Sequence, residues 1–107
     1  MKSVQLFSID KDGFHKSITA AMEGGALMVC SHAFDSGDYN REYEIRIEPS
    51  DIPQLVEALD LRRGSRRQIL KALGQRFDSL AGDSKFERFL LDNGIPSTGG
   101  GYLSGSP

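Results

Sequence analysis

The hydrophobic period changes abruptly within Arg41 to Asp60, and that change limits the possible folds more than any other feature of the sequence. Tyr43, Ile45 and Ile47 alternate with Glu42, Glu44, Arg46 and Glu48, a period of two that gives a strand one apolar and one charged face. From Ile52 the apolar residues fall instead at Ile52, Leu55, Val56 and Leu59, the three-and-four spacing of one helix face. Pro49 ends the strand. Ser50 or Asp51 is placed to cap the free amides of the first helical turn, where Pro53 costs no hydrogen bond. A half-wet strand followed at once by an amphipathic helix calls for a sheet covered by helices on one side.

The residues before Arg41 supply the other strands. Val4 to Ile9 reads as a strand, Asp10-Lys11-Asp12-Gly13 as a hairpin turn, and Phe14 to Met22 as a second strand. In that second strand Phe14, Lys16, Ile18, Ala20 and Met22 share one face, and His15, Ser17, Thr19 and Ala21 the other. Glu23-Gly24-Gly25 turns the chain into a third strand, Leu27 to Ala33, whose apolar start suits a central position. Asp35-Ser36-Gly37-Asp38 leads into the Tyr39 to Glu48 strand.

Beyond Pro49 the pattern is helical. Ser65-Arg66-Arg67-Gln68 has the spacing of a capping box, followed by the stripe Ile69, Leu70, Leu73 and Phe77, with Gly74 as a weak point. A last helix starts near Asp83 or Ser84, buries Phe86, Phe89 and Leu90, and stops at Asn93-Gly94 with Pro96 just beyond. The expected fold is therefore α+β: a four-stranded antiparallel meander followed by about three helices packed on one face. Residues 1–96 form the single domain expected of a 107-residue chain, and the Gly/Ser-rich residues 97–107 form a flexible tail in which Tyr102 and Leu103 either dock or lie exposed.

Composition narrows the setting. Cys30 is the only cysteine, so no internal disulfide can form, and a reduced cytoplasmic compartment is expected. The opening MKSVQLFSIDKDG is too polar for a signal peptide, and no run approaches the roughly 20 apolar residues of a membrane helix. Charge is unevenly distributed. Residues 1–60 hold eleven acids and five bases, a net −6, whereas residues 61–107 hold eight bases and four acids, a net +4.

The strand and helix of YEIRIEPSDIPQLVEAL, a Gly-containing break, a basic amphipathic helix and the closing FLLDNGIP together resemble small bacterial immunity proteins. These are encoded beside contact-dependent growth inhibition and other polymorphic toxin systems. The likeness spans residues 39–96 and lies in structural punctuation, so it transfers no binding residue. It implies a cytoplasmic, non-enzymatic protein without cofactor or metal that neutralises a cognate toxin domain, often a nuclease, by protein–protein contact.

The candidate residues fit that implication in one place. Asp35, Asp38, Glu42, Glu44 and Glu48 cluster on and before one strand, and spaced carboxylates offered to a nuclease's basic cleft would mimic phosphates. The plainer reading of Glu42, Glu44 and Arg46 is an exposed sheet face kept soluble. Tyr39 and Tyr43 are possible aromatic anchors, although Tyr43 alternates with the acids and suits the core. A rival class, a small nucleic-acid-binding accessory or regulatory protein, would use Arg62, Arg63, Arg66, Arg67 and Lys71, of which Arg63, Arg67 and Lys71 stack at intervals of four. Those cations could instead pair with the acidic face. A self-associating module, pairing copies through an edge strand, is a third class.

Catalytic signals are sparse. His15 and His32 have no metal-ligand spacing, Ser31 and His32 alternate to opposite faces, and Gly99 to Gly101 lack the lysine and helix of a phosphate cradle.

Overall fold

The computed structural model describes residues 3–35 and 40–103. Five strands, β1 (Ser3–Lys11), β2 (Phe14–Glu23), β3 (Ala26–Asp35), β4 (Asn40–Ile47) and β5 (Thr98–Leu103), form one antiparallel sheet in chain order. Three helices, α1 (Ile52–Ala58), α2 (Arg66–Arg76) and α3 (Gly82–Asp92), lie between β4 and β5 in sequence. The α+β class and the meander follow the sequence reading. The fifth strand does not.

Both early hairpins close through two-residue turns with two consecutive positive φ angles. These are Asp12-Gly13 at 53° and 80°, between the paired Lys11 and Phe14, and Gly24-Gly25 at 59° and 85°, between the paired Glu23 and Ala26. Such turns carry the twist that adjacent antiparallel strands need. The hairpins fix the register, and the register sends Ile18, Ala20 and Met22 of β2, Leu27 and Val29 of β3, and Ile45 and Ile47 of β4 to the same side. There they join Leu55, Ile69, Leu73, Phe86 and Leu90 from the helices in one buried cluster. All three helices thus cover the same face.

The chain enters α1 differently from expectation. A single 3-10 turn, Pro49–Asp51, intervenes, and neither Ser50 nor Asp51 caps α1 with its side chain; the Asp51 amide instead donates to the Glu48 carbonyl at 2.9 Å. Ser65 does cap α2, its hydroxyl accepting from the Gln68 amide at 3.2 Å. Helix α3 closes as Asn93-Gly94 foretells: Gly94 has φ 65°, its amide donates to the Leu91 carbonyl at 3.2 Å, and the Ile95 amide donates to the Leu90 carbonyl at 2.9 Å. Ile95 is buried and directs the chain back to the sheet.

Composition assigns Thr98–Leu103 to a loose tail, yet these residues pair with Arg46 through Arg41 of β4. Backbone hydrogen bonding accounts for this, because a strand can complete a neighbour's ladder without burying side chains of its own. Gly99 suits the close approach. It sits at φ 108°, and a Cβ there would lie 2.2 Å from the Glu44 carbonyl oxygen. Among the described residues no helix is long and apolar enough to cross a membrane.

One polar cluster ties the layers together. The Lys16 Nζ donates to Asp83 Oδ1 at 3.1 Å across the sheet–helix boundary, and the Ser84 amide donates to the same oxygen at 2.9 Å. Burial pushes the Asp83 carboxyl up, but hydrogen bonds from Ser31 and Lys16, the Lys16 charge and the Ser84 amide outweigh it and hold the group below its ordinary value. A depressed native value adds stability above the unfolded carboxyl's range, and that stability is lost as pH falls through the native one. Asp83→Asn is therefore expected to cost about 1–3 kcal/mol near neutrality in urea unfolding. The gap between variant and parent should begin to shrink as pH falls below roughly 4, the ordinary carboxylate value of the unfolded chain, and close as the pH passes through the lower native value; a gap that stays constant down to acid unfolding would contradict this account.

Candidate functional site

Alternation leaves the second face of the sheet mainly to polar and aromatic side chains, with the Ala21–Met28 pair toward one end, and no described helix packs on it. Two cross-strand rows run through its middle. In one, Ser17 of β2 pairs with His32 of β3 and His32 with Glu42 of β4; in the other, Thr19 pairs with Cys30 and Cys30 with Glu44. Residues directly opposite in antiparallel strands share a face, so these six side chains stand together. They line a shallow basin of about 220 Å³.

An aromatic group adjoins the basin. Phe34 follows His32 on the same face and lies opposite His15; its ring centroid is 5.0 Å from that of His15 and 5.4 Å from that of His32. Phe34 is 40% exposed, and it is the large hydrophobic residue that this face offers to solvent beside the acids. Sequence reading placed His15, Ser17 and Thr19 together but treated β3 as an apolar central strand. It therefore missed Cys30, His32 and Phe34 as members of the open face. Period-two alternation continued through Met28, Cys30, His32 and Phe34 would have found them.

The five carboxylates singled out in the sequence separate. Glu42 and Glu44 sit on the open face at the basin. Glu48 lies beyond the end of β4, where its Oε1 accepts from Arg46 Nε at 2.8 Å in an exposed ion pair. Asp35 ends β3 opposite Phe14, on the parity of the helix-covered side, and is exposed. Asp38 and Tyr39 lie outside the described residues. Tyr43 points toward the helices and donates its hydroxyl proton to the Glu87 carboxylate of α3, with the Arg41 guanidinium 5.8 Å from its ring centre. It is a tie between layers and no anchor for a partner on the open face.

The basic group stands elsewhere. Arg62 and Arg63 lie in the α1–α2 connection and Arg66, Arg67 and Lys71 on the outer side of α2, all exposed, on the helix side of the sheet. Among the described residues none of the five forms an ion pair, so they do not neutralise Glu42 and Glu44.

The chemistry open to the basin is limited by its own electrostatics. Cys30 and His32, two apart on one strand, share the face, which is the arrangement a thiol and base would need. Burial pushes the Cys30 thiol up, and the Glu44 carboxylate opposite pushes it further. A thiol held protonated is a poor nucleophile. Nor do the rows make a metal centre: among the described residues no three His, Cys, Asp or Glu side chains gather closely enough to hold an ion. The arrangement instead offers carboxylates, hydroxyls, imidazoles and one exposed ring to an approaching surface.

Comparison of the chain with family models, curated proteins and solved structures yields no match.

The Glu44–Cys30 pair permits a direct check of the geometry. Glu44→Gln removes the like-charge opposition, so the pH profile of Cys30 alkylation by iodoacetamide should move to lower pH, with the thiolate forming more readily. An unmoved profile would mean that Glu44 does not face the thiol.

Proposed function

We propose that this chain is an immunity protein that neutralises a cognate toxin domain, most simply a nuclease, by stoichiometric contact through the open face of its sheet. The observation that carries the reading is the juxtaposition of the Glu42 and Glu44 carboxylates with the exposed Phe34 ring on a face that no described helix covers. A nuclease holds phosphates in a basic cleft. Two carboxylates about 7 Å apart along a strand present negative charge on a rigid support and speed encounter with such a cleft. Phe34, flanked by two imidazole rings, supplies the apolar anchor that charge alone lacks.

The size of the face is adequate. Five strands at about 4.8 Å spacing and some eight residues at about 3.3 Å give roughly 24 by 26 Å, or about 600 Å² in plan. Side-chain relief brings this near the about 800 Å² that one partner contributes to a standard interface. The action needs no cofactor and no chemistry of the chain's own; occupying the cleft excludes the substrate. A cytoplasmic site of action suits a lone, protonated thiol.

Charge reversal tests the reading. Glu42→Lys with Glu44→Lys should weaken binding to the cognate toxin domain by about a hundredfold or more in calorimetry, and Phe34→Ala by about tenfold. Both variants should remain folded by circular dichroism, because Glu42 and Glu44 are exposed and Phe34 lies outside the buried core. A loss under about threefold in the double variant would overturn the proposal.

A further inference from the structure

The acidic face leaves the opposite pole of the molecule unexplained. Arg62, Arg63, Arg66, Arg67 and Lys71 fall within ten residues, all exposed and without an ion-pair partner among the described residues. Their placement works against the fold that carries them. Arg66 and Arg67 occupy the first turn of α2, where no acidic residue accompanies them and where the aligned peptide dipoles disfavour cations. Arg67 and Lys71 add a like-charge pair one helical turn apart. Ordinary solvation of a helix face asks for mixed charge, and this face has one sign.

The surface also has a shape. Between the α1–α2 connection and the outer side of α2 runs a groove of about 320 Å³ whose polar lining is Arg62, Gln68, Lys71, Gln75 and one carboxylate, Asp60, with Leu61 and Ala72 completing it. Arg63, Arg66 and Arg67 lie on the same segment. Such a groove presents cationic and amide N–H donors, which match the oxygens of phosphodiesters.

We propose that this basic pole binds the phosphate backbone of duplex nucleic acid without reading its sequence. An acidic protein is the other conceivable partner, and the small apolar component argues against it: in the groove Leu61 is half-buried against the core and Ala72 is buried, which leaves no projecting anchor. The exposed large hydrophobics of the described chain are Val4, Phe34, Leu80 and Leu91, and none belongs to this segment. Protein interfaces draw most of their affinity from buried aromatic and aliphatic anchors, whereas backbone binding needs only cations that release condensed counterions. The segment from Asp60 to Gln75 also contains no aromatic residue on which an unpaired base could stack, which favours a duplex over a single strand. The site is independent of the acidic face. The two lie on opposite sides of the sheet, so both can be filled at once.

The test is fluorescence anisotropy of the full chain with a labelled 20-base-pair DNA duplex of arbitrary sequence, from 25 to 200 mM salt. Binding is expected, weakening with a log–log slope of roughly −3 to −4.5 for about three to five contacted phosphates. Arg67→Gln with Lys71→Gln should reduce the magnitude of that slope by about 2 and the affinity about tenfold or more at low salt. Glu42→Gln with Glu44→Gln should leave the steepness unchanged. No binding at 25 mM salt, binding unaffected by the Arg67/Lys71 pair, or equally tight capture by poly-glutamate would each overturn the assignment, the last in favour of an acidic protein.

Discussion

A sheet has two faces, and the helices of this chain seal one. Every other consequence follows from the strictness of alternation along β2, β3 and β4. Each residue that sends Ile18, Val29 or Ile45 into the core obliges its neighbours Thr19, Cys30 and Glu44 to stand on the far side. The open face is therefore as well determined as the core, because a one-residue slip would bury the glutamates and expose the isoleucines. Precision in the site comes from the packing behind it, with the Lys16–Asp83 bond and the Tyr43–Glu87 bond holding α3 to the sheet.

Those two ties also explain how polar side chains come to lie on the helix-facing parity. Lys16 sits where an aliphatic residue would be ordinary, and its ammonium reaches Asp83, the negatively charged residue in the first turn of α3. The arrangement satisfies a charge that would otherwise be costly to cover, and it selects one position of the helix along the strand. A purely apolar boundary would bind the helix without fixing its place so closely. The layers are thus positioned by polar contacts and stabilised by apolar ones.

Much of this architecture was legible in the sequence because it is written in local periods. Asp12-Gly13 and Gly24-Gly25 announce the hairpins and Asn93-Gly94 the end of α3 through positive φ angles that few other residues adopt, and Ser65 announces the start of α2 through a side-chain oxygen that caps the Gln68 amide. What escaped depends on contacts distant in sequence. β5 pairs with residues more than fifty positions away, and its glycines carry no pattern of their own. Asp35 looked like a partner of Glu42 by proximity in sequence, yet parity separates them. Cys30, His32 and Phe34 were masked by the apolar character of their strand, since a half-buried open face and a buried one look alike in composition. The basic cluster was plain from the start; its isolation from the acids required three dimensions.

The glycine-rich last strand has a bearing on access. In register, Glu44 is flanked by Cys30 on one side and Gly100 on the other, so one of its two cross-strand neighbours is empty of side chain. β5 thereby completes the amide ladder of β4 while leaving a bare margin along that part of its length. Glu44 therefore meets a Cβ-bearing neighbour only on its β3 side. The strand poorest in side chains thus borders one of the two carboxylates at the middle of the open face.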